Sequence, residues 1–173
     1  MIDTQQKRIA RLLIVDDDPR IQDYYREALT LSRSQDEMEN ELEIDEMFAI
    51  LEEDNPLRQE SAYCDAYIAA QGLEALRKST EMIEAGTPFD LALLDMRIPP
   101  GIDGLETAKG LRRQNPDLPI IFVTAYSDYR EEQLIEQLGH GPHMLHKPID
   151  QNKLREEIRN TLPTSVLFGE PAE

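Results

Sequence analysis

Short apolar runs alternate with stretches of helical spacing along most of this chain. Leu12 to Val15, Leu91 to Leu94 and Ile120 to Thr124 are apolar almost throughout, the pattern of strands buried on both faces of a parallel sheet. Ala62 to Ala69 and Met144 to His146 complete a set of five expected strands. Between them, apolar residues recur three and four apart. Ile21, Tyr24, Tyr25, Ala28 and Leu29 mark a first helix. A second opens at Gly72 and stops near Gly86, with Leu76 and Ile83 inward and Pro88 beyond. Further helices are expected from Gly104 to Arg113, from Tyr129 to Leu138 with Gly139 as cap, and through Leu154, Ile158 and Leu162 between Asp150 and Pro163. Five strands and five helices in alternation predict an α/β fold with a doubly wound parallel sheet.

Three of these strands end in polar residues. Asp16, Asp17 and Asp18 follow Val15, Asp95 follows Leu94, and Thr124 closes its own run, while Lys147 follows Met144 to His146. Open α/β sheets bind ligands at the carboxyl edge of their strands, so these groups are expected to share one site. Two carboxylates about 4 Å apart repel by roughly 4 kcal/mol at an effective dielectric of about 20. Lys147 alone does not balance three of them. Carboxylate oxygens with room for water suit Mg²⁺. The plainer reading is that Asp18 before Pro19 caps the first helix. That role needs a single Asp and explains neither Asp95 nor Thr124.

Composition narrows the function. A chain of 173 residues buries roughly 70% of its unfolded surface, enough for one core. Lys plus Arg number 18 against 35 Asp plus Glu, and the net charge of −17 argues against direct binding to nucleic acid or to anionic membranes. Protein partners are expected instead. One cysteine, Cys64, makes no disulfide within the chain and is read as inert packing, and no signal segment or long apolar stretch is present, so a cytoplasmic location is expected.

The segments LLIVDDDP, DLALLDMRIPPGIDGLE, IIFVTA and LHKPI, in that order, resemble the response-regulator receiver domain of two-component signalling. The resemblance covers residues 7 to 162 and implies a flavodoxin-like sheet. It also implies a phosphoacceptor signalling domain, not an enzyme in the ordinary sense, that assists only its own phosphotransfer and dephosphorylation. By position, Asp95 resembles the aspartate that accepts a phosphoryl group from a histidine kinase or phosphotransfer protein. Asp16 and Asp17 resemble the Mg²⁺-holding pair, with Asp95 and the backbone carbonyl of Arg97 completing the metal site. Thr124 and Lys147 resemble the hydroxyl and ammonium that meet the phosphoryl oxygens. An unknown protein target would read the signal. Two other readings compete. Asp16 and Asp18 form the Asp-x-Asp pattern of haloacid-dehalogenase-like phosphatases, although the acidic pair those enzymes need after the lysine is missing. The third reading is a receiver-like scaffold that never takes phosphate.

Several features depart from the family pattern. Residues 31 to 61 hold eleven acidic residues against Arg33 and Arg58, a net −9, where receiver domains have a handful of residues. Ser34 and Glu37 form a capping-box pattern, and Ile44, Met47, Phe48 and Leu51 follow at helical spacing, so an acidic amphipathic helix is expected here. It either packs on the parent domain or docks a partner, a second copy in a homodimer included. Pro99, Pro100 and Gly101 lengthen the loop after Asp95. Met144 stands where the family often has an aromatic switch residue. His140, His143 and His146 are read as solvated, not as a metal site. Residues 163 to 173 form a Pro-containing tail or linker.

Overall fold

A computed structural model describes residues 10–29, 64–125, 130–139 and 141–162. Along them run β1 (Ala10–Val15), α1 (residues 19–29), β2 (Cys64–Ala69), α2 (Gly72–Glu84), β3 (Leu91–Leu94), α3 (Gly104–Gln114), β4 (Ile120–Thr124), α4 (Glu131–Leu138), β5 (Pro142–His146) and α5 (Gln151–Thr161). All the strands pair in parallel, in the order β2-β1-β3-β4-β5. The chain starts inside the sheet, steps out to β2, then returns past β1 to β3. The strand order therefore reverses between β1 and β3, where the connecting chain leaves to opposite faces and opens a crevice.

The apolar runs build two cores, one on each face. Leu13, Val15, Ala92, Leu94, Ile120 and Phe122 point to one face and meet Ala75, Leu105, Ala108, Leu111 and Leu134 from α2, α3 and α4. Leu12, Ile14, Leu91, Leu93, Ile121 and Val123 point to the other and meet Tyr25, Ala28, Leu154 and Ile158 from α1 and α5. Alternation along a strand thus feeds both layers, which is why β1, β3 and β4 carry no polar face. Each fully buried Leu or Ile contributes about 1.5–3 kcal/mol, so these three strands anchor the fold. The edge strands differ. Asp65 of β2 is exposed, and β5 places His143 and His146 outward with Leu145 inward.

Boundaries move by a few residues from the sequence reading. Strand β5 begins at Pro142, two residues before Met144. Helix α4 begins at Glu131, two residues after Tyr129, because Arg130 is extended and its N–H is held by Gln133 Oε1 at 2.9 Å. In α2, Met82 and Leu76 pack on the core and Ile83 does not join it. Strand β2 is described from Cys64, and Ala62 and Tyr63 lie outside the described residues, as do residues 7–9, the expected acidic helix within 31–61, His140 and the 163–173 tail. Among the described residues, no helix is long and apolar enough to cross a membrane.

Candidate functional site

Sheet register gathers the predicted residues. Val15 lies beside Leu94, Leu94 beside Phe122, and Thr124 beside His146, so the residues at and just beyond these positions share the carboxyl edge. Backbone bonds fix the approach: the Asp95 N–H donates to the Val15 carbonyl at 2.9 Å, and the Asp16 N–H to the Ala69 carbonyl at 3.1 Å. The Lys147 N–H donates to the Thr124 carbonyl, also at 2.9 Å.

Lys147 ties the site together. Its Nζ stands 2.6 Å from Asp16 Oδ2 and 2.7 Å from Asp95 Oδ2. The other carboxylate oxygens are also engaged, Asp16 Oδ1 by the Asp18 N–H at 3.0 Å and Asp95 Oδ1 by the Arg97 N–H at 3.1 Å. Asp17 joins them: carboxylate oxygens of Asp16, Asp17 and Asp95 lie within 4.8 Å of one another. Asp16 is 1% exposed, and burial pushes its carboxyl above the ordinary value against the opposing pull of Lys147 and the Asp18 N–H. Burial alone would lower Lys147. Its hydrogen bonds to Asp16 and Asp95 outweigh that and raise it, so the side chain is an ammonium at neutral pH.

The three consecutive aspartates divide their work. Asp18 is engaged by Arg20: its carboxylate accepts from the Arg20 N–H at 2.9 Å and from the Arg20 guanidinium at 2.8 and 3.1 Å. That contact holds Asp18 down to about 2, and the residue caps α1 with Pro19 behind it. Asp16 and Asp17 are left for the site. Their oxygens and those of Asp95 form a hard donor set with one ammonium against three carboxylates, which suits a divalent cation such as Mg²⁺.

Thr124 is fully buried at the end of β4. Arg97 is exposed and enters the site through its backbone N–H. Met144 sits beside Phe122 and packs on the core shared by α2, α3 and α4. His143 and His146 are exposed on β5. Residues not singled out in the sequence also shape the site. Gln22 Nε2 donates to the Asp16 carbonyl at 2.7 Å. A Cβ on Gly104 would fall 2.1 Å from the Asp95 carbonyl oxygen and 2.8 Å from Met96 Cα, so only glycine lets α3 start this close to Asp95. Gly104 was legible as a helix start next to Asp103, while its closeness to Asp95 is a matter of tertiary geometry.

Known proteins share this arrangement of sequence and fold. The sequence profile of the response regulator receiver domain matches residues 44–159, a stretch that holds Asp95, Thr124 and Lys147 and begins after β1. Sporulation initiation phosphotransferase F of Bacillus subtilis is 36% identical over 95 residues, which cover 55% of this chain and 71% of that protein. The transcriptional regulatory protein ZraR of Klebsiella oxytoca is 35% identical over 105 residues, 60% of this chain and 22% of that protein. The chain thus spans about a fifth of the longer regulator. Among solved structures, the response regulator TrrA of Thermotoga maritima in complex with Mg(2+)-BeF has a TM-score of 0.56 at 27% identity, covering 88% of this chain and 99% of that one. The chemotaxis protein CheY4 of Vibrio cholerae has a TM-score of 0.61 at 23% identity, a likeness of fold over 89% of this chain and 99% of that one.

Proposed function

Because this chain belongs to the response regulator receiver domain family, we propose that Asp95 is its phosphoacceptor, charged by a histidine kinase or a phosphotransfer protein in a Mg²⁺-dependent step. The observation that carries this reading is Lys147 Nζ, held between Asp16 and Asp95 at 2.6 and 2.7 Å. An ammonium at that point already stands where phosphoryl oxygens must be met.

In the proposed step an Asp95 carboxylate oxygen attacks phosphorus, the acyl phosphate bond forms, and the bond from phosphorus to the donor nitrogen breaks, its electron pair leaving with the donor. Little covalent work falls to the protein, so positioning and charge carry the catalysis. The Arg97 N–H on Oδ1 orients the carboxylate and leaves Oδ2 on the side of Lys147. Lys147 then exchanges its contact with Asp95 for the phosphoryl oxygens and offsets their charge. Thr124, at the end of β4, is assigned the hydroxyl that meets the phosphoryl group. Asp16, Asp17 and Asp95, with the Arg97 carbonyl, are assigned the cation. Bound there, Mg²⁺ supplies neutralisation of the carboxylates and the phosphoryl oxygens; TrrA, at 27% identity, is seen with Mg(2+)-BeF.

The phosphatase reading asks Asp16 to be the nucleophile. Asp16 is 1% exposed, with one oxygen on Lys147 and the other on the Asp18 N–H, whereas Asp95 is more open. The chain is therefore read as a cytoplasmic signalling domain that passes its state to a protein target. The experiment is incubation with acetyl phosphate and Mg²⁺, followed by borohydride trapping and mass mapping. Label is expected on Asp95 and none on the Asp95→Asn variant. Label on Asp16 would restore the phosphatase, and a wild-type protein with no label would make the chain a scaffold.

A further inference from the structure

The Lys147 ammonium reaches the site on a long side chain with four rotatable bonds, so its position depends on how firmly its backbone is held. On the amino-terminal side the Lys147 N–H is fixed to the Thr124 carbonyl of β4 at 2.9 Å. Beyond it, Asp150 caps α5 by accepting from the Asn152 and Lys153 N–H groups. Between these anchors stands the Ile149 carbonyl, which accepts a hydrogen bond from the hydroxyl of Tyr24 on α1. Tyr24 is 125 residues away from Ile149 in sequence and half-buried, so its hydroxyl joins α1 to the segment that leads into α5.

We propose that Tyr24 is a positioning residue for Lys147: by holding the Ile149 carbonyl, α1 sets where the Lys147 ammonium enters the site. The inference rests on the reading of Asp95 as the phosphoacceptor. Helix α1 is suited to the task because it also holds the other half of the ion pair. Gln22 Nε2 donates to the carbonyl of Asp16, whose Oδ2 meets Lys147. One helix thereby fixes the backbone on the Asp16 side and on the Lys147 side, and the separation between carboxylate and ammonium is set by α1. The ring of Tyr24 has a separate structural role, packing edge-on against Tyr25 at 6.0 Å and lying against the core formed with α5. Removing the hydroxyl alone should therefore leave the packing in place and free the loop.

Tyr24→Phe does this. With Mg²⁺ present, beryllofluoride, which stands in for the phosphoryl group on Asp95, is expected to bind about three- to tenfold more weakly, the effect of losing one hydrogen bond that holds a charged contact in place. Mg²⁺ affinity alone should stay within about twofold, since Asp16, Asp17 and Asp95 are untouched. Backbone amide shifts should change at Lys147, Ile149 and Asp150. Arg155→Gln is the control for loosening of α1 against α5, because Arg155 Nε ties α5 to the Ala28 carbonyl, four residues beyond Tyr24 on α1. It should leave beryllofluoride affinity unchanged. A folded Tyr24→Phe with wild-type affinity overturns the inference. Equal weakening in Arg155→Gln also overturns it, by showing that general loosening of α1 against α5 is the cause. A wild-type protein that binds no beryllofluoride would overturn the reading of Asp95 itself, and this inference with it.

Discussion

Lys147 is the residue on which the charge balance of the site turns. It is 16% exposed, between Asp16 at 1% and Asp95 at 11%, so its loss would leave buried carboxylates facing one another with no cation. Removing one partner of a buried pair costs about 3–5 kcal/mol, far more than the pair itself adds. Lys147→Met is therefore expected to lower stability by about that much in metal-free buffer. Saturating Mg²⁺ should recover part of the loss, because a cation at Asp16, Asp17 and Asp95 supplies the missing charge. Paired thermal melts with and without Mg²⁺ check this, and equal losses in both would remove the cation from these carboxylates. Asp17→Ala, by contrast, leaves both Lys147 contacts intact and relieves repulsion. It should keep or raise stability while Mg²⁺ affinity falls in calorimetry.

Helix α1 depends on a cap that titrates. The Asp18 carboxyl lies at about 2 in the folded chain against an ordinary 3.8, held down by Arg20. A lowered folded value means that the cap contributes above about pH 4 and fades as the pH falls towards 2. Asp18→Asn keeps an acceptor for the helix and loses the charge, so its acid unfolding should be flatter than wild type between those limits. An unchanged acid limb would show that other groups carry it. Strands β1, β3 and β4 were legible because a strand buried on both faces reads as an unbroken apolar run. The start of β5 was hidden, since Pro142 and His143 break that signal, and so was the start of α4, whose cap position is Arg130. Asp16, Asp17, Asp95 and Lys147 showed as charges at strand ends. The roles of Gln22 and of the Tyr24 hydroxyl did not, nor did the closeness of Gly104 to Asp95, because each depends on backbone atoms that only the folded chain brings near.

At the scale of the whole molecule, the site is spread over the carboxyl ends of β1, β3, β4 and β5, and its four sequence motifs lie outside residues 31–61. Replacing that acidic segment with a short polar turn is expected to preserve phosphorylation of Asp95. Sedimentation of the shortened protein would show whether the segment governs self-association, and a shortened protein that no longer folds would place it in the core. The strand order has a further consequence, in time. Strand β1 finds its neighbours far along the chain: the Arg11 N–H meets the Asp90 carboxylate across 79 residues, and Leu12 pairs with Leu91. Because loop closure precedes the reward of such pairing, this sheet is expected to fold more slowly than a helical bundle of its size. On the ribosome, β1 is made before both of its strand partners, β2 from Cys64 and β3 from Leu91. Until those partners are made, Leu12 to Val15 are an apolar run without a strand neighbour, and Asp16 to Asp18, which end it, are charges placed where they oppose aggregation.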